Sequence, residues 1–324
     1  MSEGVNLTME SLGDILSQMK NSELRKRTEQ LTASLLNDPL VLKLRNEHPE
    51  ITEKQLTLNM AKLYQCVKDD KHCSQCPGLD RCPNDFPGHF TKISVEAQGG
   101  VSTIVDRQVP CQLQAMRENE QMIKEKIRSF YVDERALSEG YSEVEIMGKD
   151  RDRSPAVFKL FQYIEQTKEQ GLSPKGLYME GSFGTGKTFL MCYMLHELAK
   201  AGYTGAIVYM PDFVEDLKSM MQDNAKLKET IELMKEVDLL IFDDIGAENL
   251  NPWVRDHILG AILNYRMNRK PTFYTSNYSL SMLEKHLAFT NKEGEDVHKG
   301  QRIMDRIAPF VDVLQIKGSN KRRS

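Results

Sequence analysis

The octapeptide GSFGTGKT at residues 181–188 constrains this chain more than any other stretch. It matches the spacing Gly-x4-Gly-Lys-Ser/Thr. A short apolar run, KGLYMEG (175–181), leads into it, and an apolar helical stretch, FLMCYMLHELAKAG (189–202), follows. A strand turning through glycines into a helix is the geometry that lets backbone N–H groups wrap an anion at a helix N-terminus. Gly181, Ser182, Phe183, Gly184, Thr185, Gly186, Lys187 and Thr188 are therefore the candidate phosphate cradle for ATP. Lys187 suits the β- and γ-phosphates, and the Thr188 hydroxyl suits Mg²⁺.

The residues that follow keep the same grammar. GAIVYM (205–210), VDLLIFDD (237–244), PTFYTSN (271–277) and VDVLQI (311–316) are apolar runs of strand length. PDFVEDLKSMMQ (211–222) and WVRDHILGAILNYRM (253–267) show helical spacing between them. Mostly apolar strands alternating with helices predict an α/β fold with a parallel sheet covered on both faces.

A phosphate loop needs a metal-holding acid on a neighbouring strand. The run 237–244 ends in Asp243, placed to hold the Mg²⁺ shell, and Asp244, placed to orient or polarise the attacking water. Asn277 ends the run 271–277, where an amide can touch the γ-phosphate or that water. GQRIMDRI (300–307) puts Arg302 and Arg306 one helical turn apart. They are either solvated charges or fingers reaching a neighbouring subunit's nucleotide, Arg306 first.

The N-terminal part is written differently. Residues 8–67 carry helical spacing in MESLGDILSQM, LRKRTEQLTASLL and LTLNMAKLYQCV. Then CSQCPGLDRCPNDFPGH (73–89) holds three of the chain's six cysteines. Cys73, Cys76, Cys82 and His89, with prolines and glycines bending the chain between them, suit tetrahedral Zn²⁺ in a closed structural site. His72 and Cys66 are rival fourth ligands, and three buried free thiols are the alternative. TKISVEAQGGVSTIVDRQV (91–109) reads as a β-hairpin around Gly-Gly. These patterns predict a zinc-binding domain over 1–112, a linker or connecting helix over 113–130, a nucleotide domain over 131–318 and a basic tail over 319–324.

The 324 residues suit two domains, and a net charge of −4 gives no global pull toward nucleic acid. MSEGVNLTMESLGDIL lacks a secretory pattern, and no apolar stretch approaches the ~18 residues of a membrane span. The expectation is a cytoplasmic protein, a reducing setting in which clustered cysteines favour metal.

In the order loop, Asp-Asp strand, Ser-Asn strand, late arginines, residues 131–317 resemble the AAA+ ATPases. GSFGTGKT, FDDIGAE, WVRD, TSN and QRIMDRI resemble the bacterial helicase-loader family of DnaC and DnaI, and the cysteine module resembles its DnaI branch. The resemblance spans nearly the whole chain. It implies a five-stranded parallel sheet, an N-terminal domain that docks on the DnaB-type hexameric replicative helicase, and placement of that helicase on single-stranded DNA under ATP control. DNA contact and self-association through the ATPase domain, and other primosome proteins as partners, are implied too. By position, Lys187, Thr188, Asp243, Asp244, Asn277 and Arg306 carry the family's roles. Two features depart from the AAA+ pattern. Asp244 stands where most AAA+ enzymes have Glu, which implies slow, switch-like hydrolysis. Only 47 residues follow Asn277, too few for the usual helical lid. Lys218, Lys226 and Lys228 are the candidate DNA contacts. An IstB-type transposition-helper ATPase and a zinc-dependent nucleic-acid-binding regulator are the competing readings.

Overall fold

The computed structural model describes residues 22–98, 101–130, 153–318 and 320. MESLGDILSQM, the Gly-Gly of the hairpin, the expected domain start at 131 and residues 321–324 lie outside the described residues. The chain divides into two units, Met1–Asn119 and Glu120–Ser324.

Among the described residues of the first unit, four α-helices precede a hairpin: α1 (Ser22–Leu36), α2 (Pro39–Glu47), α3 (Glu53–Leu58) and α4 (Met60–Ser74). The starts of α2 and α3 are set locally. Asp38 accepts the Leu40 N–H with Pro39 in the first turn, and Thr52 and Gln55 form a reciprocal capping box. The hairpin pairs β1 (His89–Gln98) with β2 (Val101–Pro110) antiparallel. Leu35, Val41, Ile51, Leu56, Leu63 and Val67 pack on Ile104 of β2 in one small core. The buried carboxylate of Asp69 on α4 accepts both the Thr91 N–H (2.8 Å) and the Thr91 hydroxyl (2.7 Å), which pins the last helix to the hairpin.

In the second unit, α5 (Gln112–Lys126) runs across the division into β3 (Ile127–Phe130). After it come α6 (Ser154–Gln170), β4 (Gly176–Gly181), α7 (Lys187–Lys200), β5 (Gly205–Tyr209), α8 (Met210–Ser219), α9 (Asn224–Glu236) and β6 (Leu239–Asp243). A π-helical stretch, Val254–Leu259, continues into α10 (Gly260–Arg266), followed by β7 (Thr272–Ser276) and α11 (Leu280–Ala288). The two-residue strands β8 (Phe289–Thr290) and β9 (Gly294–Glu295), α12 (Val297–Met304) and β10 (Val311–Ile316) complete it. All neighbours in the main sheet are parallel, in the order β10-β4-β7-β6-β5-β3.

Among the described residues this sheet has six strands, where the family resemblance implies five. The sixth is β3, which falls in the segment expected to be a connector. An edge strand needs one partner only, and β3 takes β5 in the register Ile127↔Gly205 to Phe130↔Val208. Ile127 and Phe130, three residues apart, pack on opposite sheet faces, so two apolar residues in a polar run suffice. Phe130 meets Phe213 edge-on, with ring centroids 6.4 Å apart.

Strand alternation sorts the core into two layers. Leu177, Met179, Ile207, Leu239, Ile241 and Phe273 face α6 and α7. Tyr178, Ala206, Val208, Leu240, Phe242 and Tyr274 face the helices that follow β5. Helix α7 is buried on nearly every side because it lies between the sheet and α6. Arg266, 1% exposed, donates to the carbonyls of Met234, Lys235, Val237, Asp238 and Pro271, so it caps the end of α9 and the turn into β6.

Candidate functional site

The carboxyl ends of β4, β6 and β7 lie side by side, where open parallel sheets place ligands. The loop leaving β4 turns on Gly184 (φ 74°) and Gly186 (φ 90°), both in the left-handed region that a Cβ penalises. Gly186 caps α7, and the Thr185 hydroxyl closes the loop onto the Ser182 carbonyl at 2.9 Å. The Phe183 side chain is exposed, so this residue offers the site its backbone.

Lys187 is buried in the cradle it crosses. Its ammonium donates to the carbonyls of Gly181 (2.8 Å) and Ser182 (3.0 Å) and to Asn277 Oδ1 (2.8 Å). The Thr188 hydroxyl faces Asp243, 2.9 and 3.1 Å from its two oxygens. Burial pushes the Asp243 carboxyl above its ordinary range; the hydroxyls of Thr275 and Thr188 pull the other way. Asn277 Nδ2 donates to Asp244 Oδ1 at 2.8 Å. The structure thus brings Lys187, Thr188, Asp243, Asp244 and Asn277 into one network. A lysine over the loop with a hydroxyl and a carboxylate facing each other offers hard oxygen donors, which fit Mg²⁺ beside a polyphosphate.

Two residues that the sequence analysis did not single out join this network. Thr275, fully buried, donates to Asp243 Oδ1 (2.6 Å) and accepts the Asp244 N–H (2.8 Å). It lies inside TSN, and strand parity toward β6 was the one available signal. Arg153, also buried, donates to the Thr185 carbonyl at 3.3 Å from the start of α6, a contact nothing in its own sequence neighbourhood announces. Glu248, inside FDDIGAE, accepts the Gly246 N–H (2.7 Å) and pairs with His286 (3.1 Å), which ties the segment after Asp244 to α11.

The late arginines are arranged differently from the expectation. Helix α12 stops at Met304, so Arg306 sits past its end and the two do not share one helical face. The Arg306 guanidinium turns back onto the Arg302 carbonyl and reaches Asn264 at 3.4 Å. Among the described hydrogen bonds neither arginine contacts the phosphate loop of its own chain. Lys226 and Lys228 are exposed, whereas Lys218 is engaged with Glu215 (2.6 Å) and the Asn249 carbonyl (3.2 Å).

In the first unit, Cys73 and Cys76 lie at the exposed end of α4 and Cys82 follows a short 3-10 turn. Three thiols each receive an N–H: Cys73 from Asn84 (3.6 Å), Cys82 from Gly88 (3.3 Å), Cys111 from Gln114 (3.5 Å). Such donors commonly support thiolate ligands. Burial pushes the Cys73 thiol up, and the nearby Cys76, Cys82 and Cys111 add to the effect. Cys111 was missed in the sequence because the hairpin separates it from the other three; its N–H bonds the Gly88 carbonyl at 2.8 Å across the hairpin base. The His89 ring faces the Pro87 carbonyl (3.2 Å) and the His72 ring faces Asn84 (3.0 Å). These donors fit zinc in kind and neighbourhood, although among the described residues no three His, Cys, Asp or Glu side chains converge at coordination distance. No helix among the described residues is long and apolar enough to cross a membrane.

Comparison with known proteins gives two family matches. Residues 9–99 match the primosomal protein DnaI N-terminus family, and residues 173–324 match the IstB-like ATP binding protein family. The replicative helicase loader DnaI of Bacillus subtilis (strain 168) is 30% identical over 317 residues, 97% of this chain and 99% of the relative. The phage-like element PBSX protein XkdC of the same organism is 26% identical over 54% of this chain and 64% of its own length. A crystal structure of DnaI, 35% identical, superposes with a TM-score of 0.51 over 60% of this chain and 98% of that structure.

Proposed function

This chain belongs to the DnaI family of replicative helicase loaders, and we propose that it places a hexameric DnaB-type helicase on single-stranded DNA as an ATP-controlled assembly switch. One observation carries the reading: both halves of the chain align with one loader, over 97% of this chain, while its second half holds a connected Lys187–Asn277–Asp244 site. The IstB-like match covers residues 173–324 alone, and the helper reading leaves the first unit without a role.

In the proposed division of labour the first unit docks on the helicase and the ATPase unit contacts single-stranded DNA. Lys187 and the loop N–H groups bind the phosphates, Thr188 and Asp243 hold Mg²⁺, and Asp244 and Asn277 orient the attacking water. Arg306, with Arg302 beside it, answers to a neighbouring copy. Zn²⁺ on Cys73, Cys76 and Cys82, with His89 or Cys111 as the fourth ligand, braces the docking unit. Asp244 is one methylene shorter than Glu, so turnover is slow. The protein acts in the cytoplasm.

The test is to mix the full chain with the replicative helicase of the same cell and ATP, then measure complex mass by light scattering after gel filtration. A Lys187→Ala variant should still comigrate but fail to deliver helicase to a single-stranded template. A full chain that does not comigrate with the helicase sinks the loader reading.

A further inference from the structure

We propose that Thr275 is a positioning residue of the nucleotide site: its one hydroxyl, bonded to both members of the acidic pair, aims both carboxylates. The inference rests on the ATPase reading above and adds to it a residue that touches neither phosphate nor metal.

A threonine hydroxyl has one proton to give and lone pairs to receive with. In Thr275 the proton goes to Asp243 Oδ1 at 2.6 Å, and the oxygen takes the Asp244 N–H at 2.8 Å. The backbone carbonyl of the same residue takes the next amide, that of Ile245, at 2.9 Å. Ser276 adds a fourth tie, its hydroxyl donating to the Ile245 carbonyl at 2.5 Å. Two adjacent residues of β7 therefore hold the exit of β6 at three successive points.

That exit is where the site is made. In a strand, neighbouring side chains point to opposite faces, so a straight continuation of β6 would send Asp243 and Asp244 apart. They act together because Asp244 has φ 56°, a left-handed conformation unusual for a residue other than glycine. The turn breaks the alternation and brings the Asp244 carboxylate to Asn277 Nδ2 at 2.8 Å. A backbone held in a sparsely populated conformation persists where its surroundings over-determine it. Here the captured Asp244 N–H is part of that determination.

The same hydroxyl fixes the other acid. Asp243 Oδ1 is shared between Thr275 (2.6 Å) and Thr188 (2.9 Å), and Thr188 also reaches Oδ2 at 3.1 Å. Thr275 grips the carboxylate from the buried side, leaving Thr188 as its partner on the loop side. Packing alone does not call for threonine at a fully buried position of a central strand. Valine fills the same volume there without a polar atom to satisfy.

The experiment compares T275S, T275A and T275V with wild type in the full chain. The readouts are thermal melting, equilibrium binding of a fluorescent ATP analogue with and without Mg²⁺, and kcat and KM for phosphate release. Serine keeps the hydroxyl and alanine does not, at nearly equal volume, so their difference reports the hydroxyl even if the valine variant fails to fold. T275S should stay within about threefold of wild type, while T275A and T275V lose roughly ten- to hundredfold in kcat. Affinity for the analogue without Mg²⁺ should hold, and the gain in affinity on adding Mg²⁺ should shrink. Equal kcat for T275A and T275S, or a T275A loss that appears as much in Mg²⁺-free binding as in kcat, overturns the proposal. If wild type binds the analogue but releases no phosphate, the hydrolysis reading fails, and the Mg²⁺-dependent gain still decides the role of Thr275.

Discussion

The side-chain amide of Asn277 joins Lys187 to Asp244, accepting from the lysine ammonium at 2.8 Å and donating to Asp244 Oδ1 at 2.8 Å. An amide carries an acceptor oxygen and a donor nitrogen on one rigid group, so it can accept from a cation and donate to an anion at once. Asn277→Ala should lower turnover about a hundredfold while ATP affinity falls only a few-fold, since it removes a group that acts as charge moves. Asn277→Asp keeps the acceptor and sets a second carboxylate against Asp244, so it should turn over no faster than the alanine variant. Steady-state phosphate release beside equilibrium binding checks both.

Gly186→Ala should impair nucleotide binding. Its φ of 90° disfavours any side chain, and an added Cβ would lie 2.8 Å from the Arg153 guanidinium, which itself supports the Thr185 carbonyl. The strain is about 1–2 kcal/mol before any displacement of Arg153. Binding of an ATP analogue should weaken at least tenfold, with the melting temperature lowered by about 2–8 °C, because the loop and not the core is disturbed. Wild-type affinity in this variant would mean that the loop adapts.

Thiol chemistry should separate the cysteines. Burial pushes Cys192 up to about 12, so at pH 8 it remains a protonated, enclosed thiol and should stay unlabelled in the folded protein. Cys73 and Cys76 are exposed and should react readily in chelator-treated protein and slowly in zinc-loaded protein. One zinc per chain by elemental analysis, lost in Cys76→Ser, is the accompanying expectation. Cys111→Ser and His89→Ala identify the fourth ligand, as the one whose change releases the metal.

Arg266→Met should destabilise the second unit by about 3–5 kcal/mol, the range for breaking a buried charged network. The guanidinium is 1% exposed, and its loss leaves five main-chain carbonyls without their donor. Burial lowers its pKa to about 10, so it remains charged at neutral pH and the bonds stay charge-assisted. Urea unfolding should show the loss, and ATP affinity in the folded fraction should be unchanged.

Much of the second unit was legible in the one-dimensional text because its determinants are local. A glycine-rich turn between an apolar strand and an apolar helix has few conformations open to it, and β6 and β7 each end on polar residues after a buried run. That spacing identified Lys187, Thr188, Asp243, Asp244 and Asn277, and the structure places them in one network. Strand β3 was not legible, because an edge strand draws half its stability from a neighbour and needs little pattern of its own.

What the tertiary structure alone decided are the contacts between residues far apart in the chain. Thr275 reaches Asp243 and the Asp244 amide because β6 and β7 are paired. Arg153 reaches the loop from the start of α6, and Cys111 comes beside Cys73 because a hairpin closes. The placement of Arg306 past the end of α12, off the face that carries Arg302, likewise follows the helix end and not the spacing of the two arginines in the sequence. Sequence spacing determines which groups are available to one turn of chain. Which of them meet depends on strand pairing and burial, since a hydrogen bond's strength depends on the distance and direction between its partners and not on their separation along the chain.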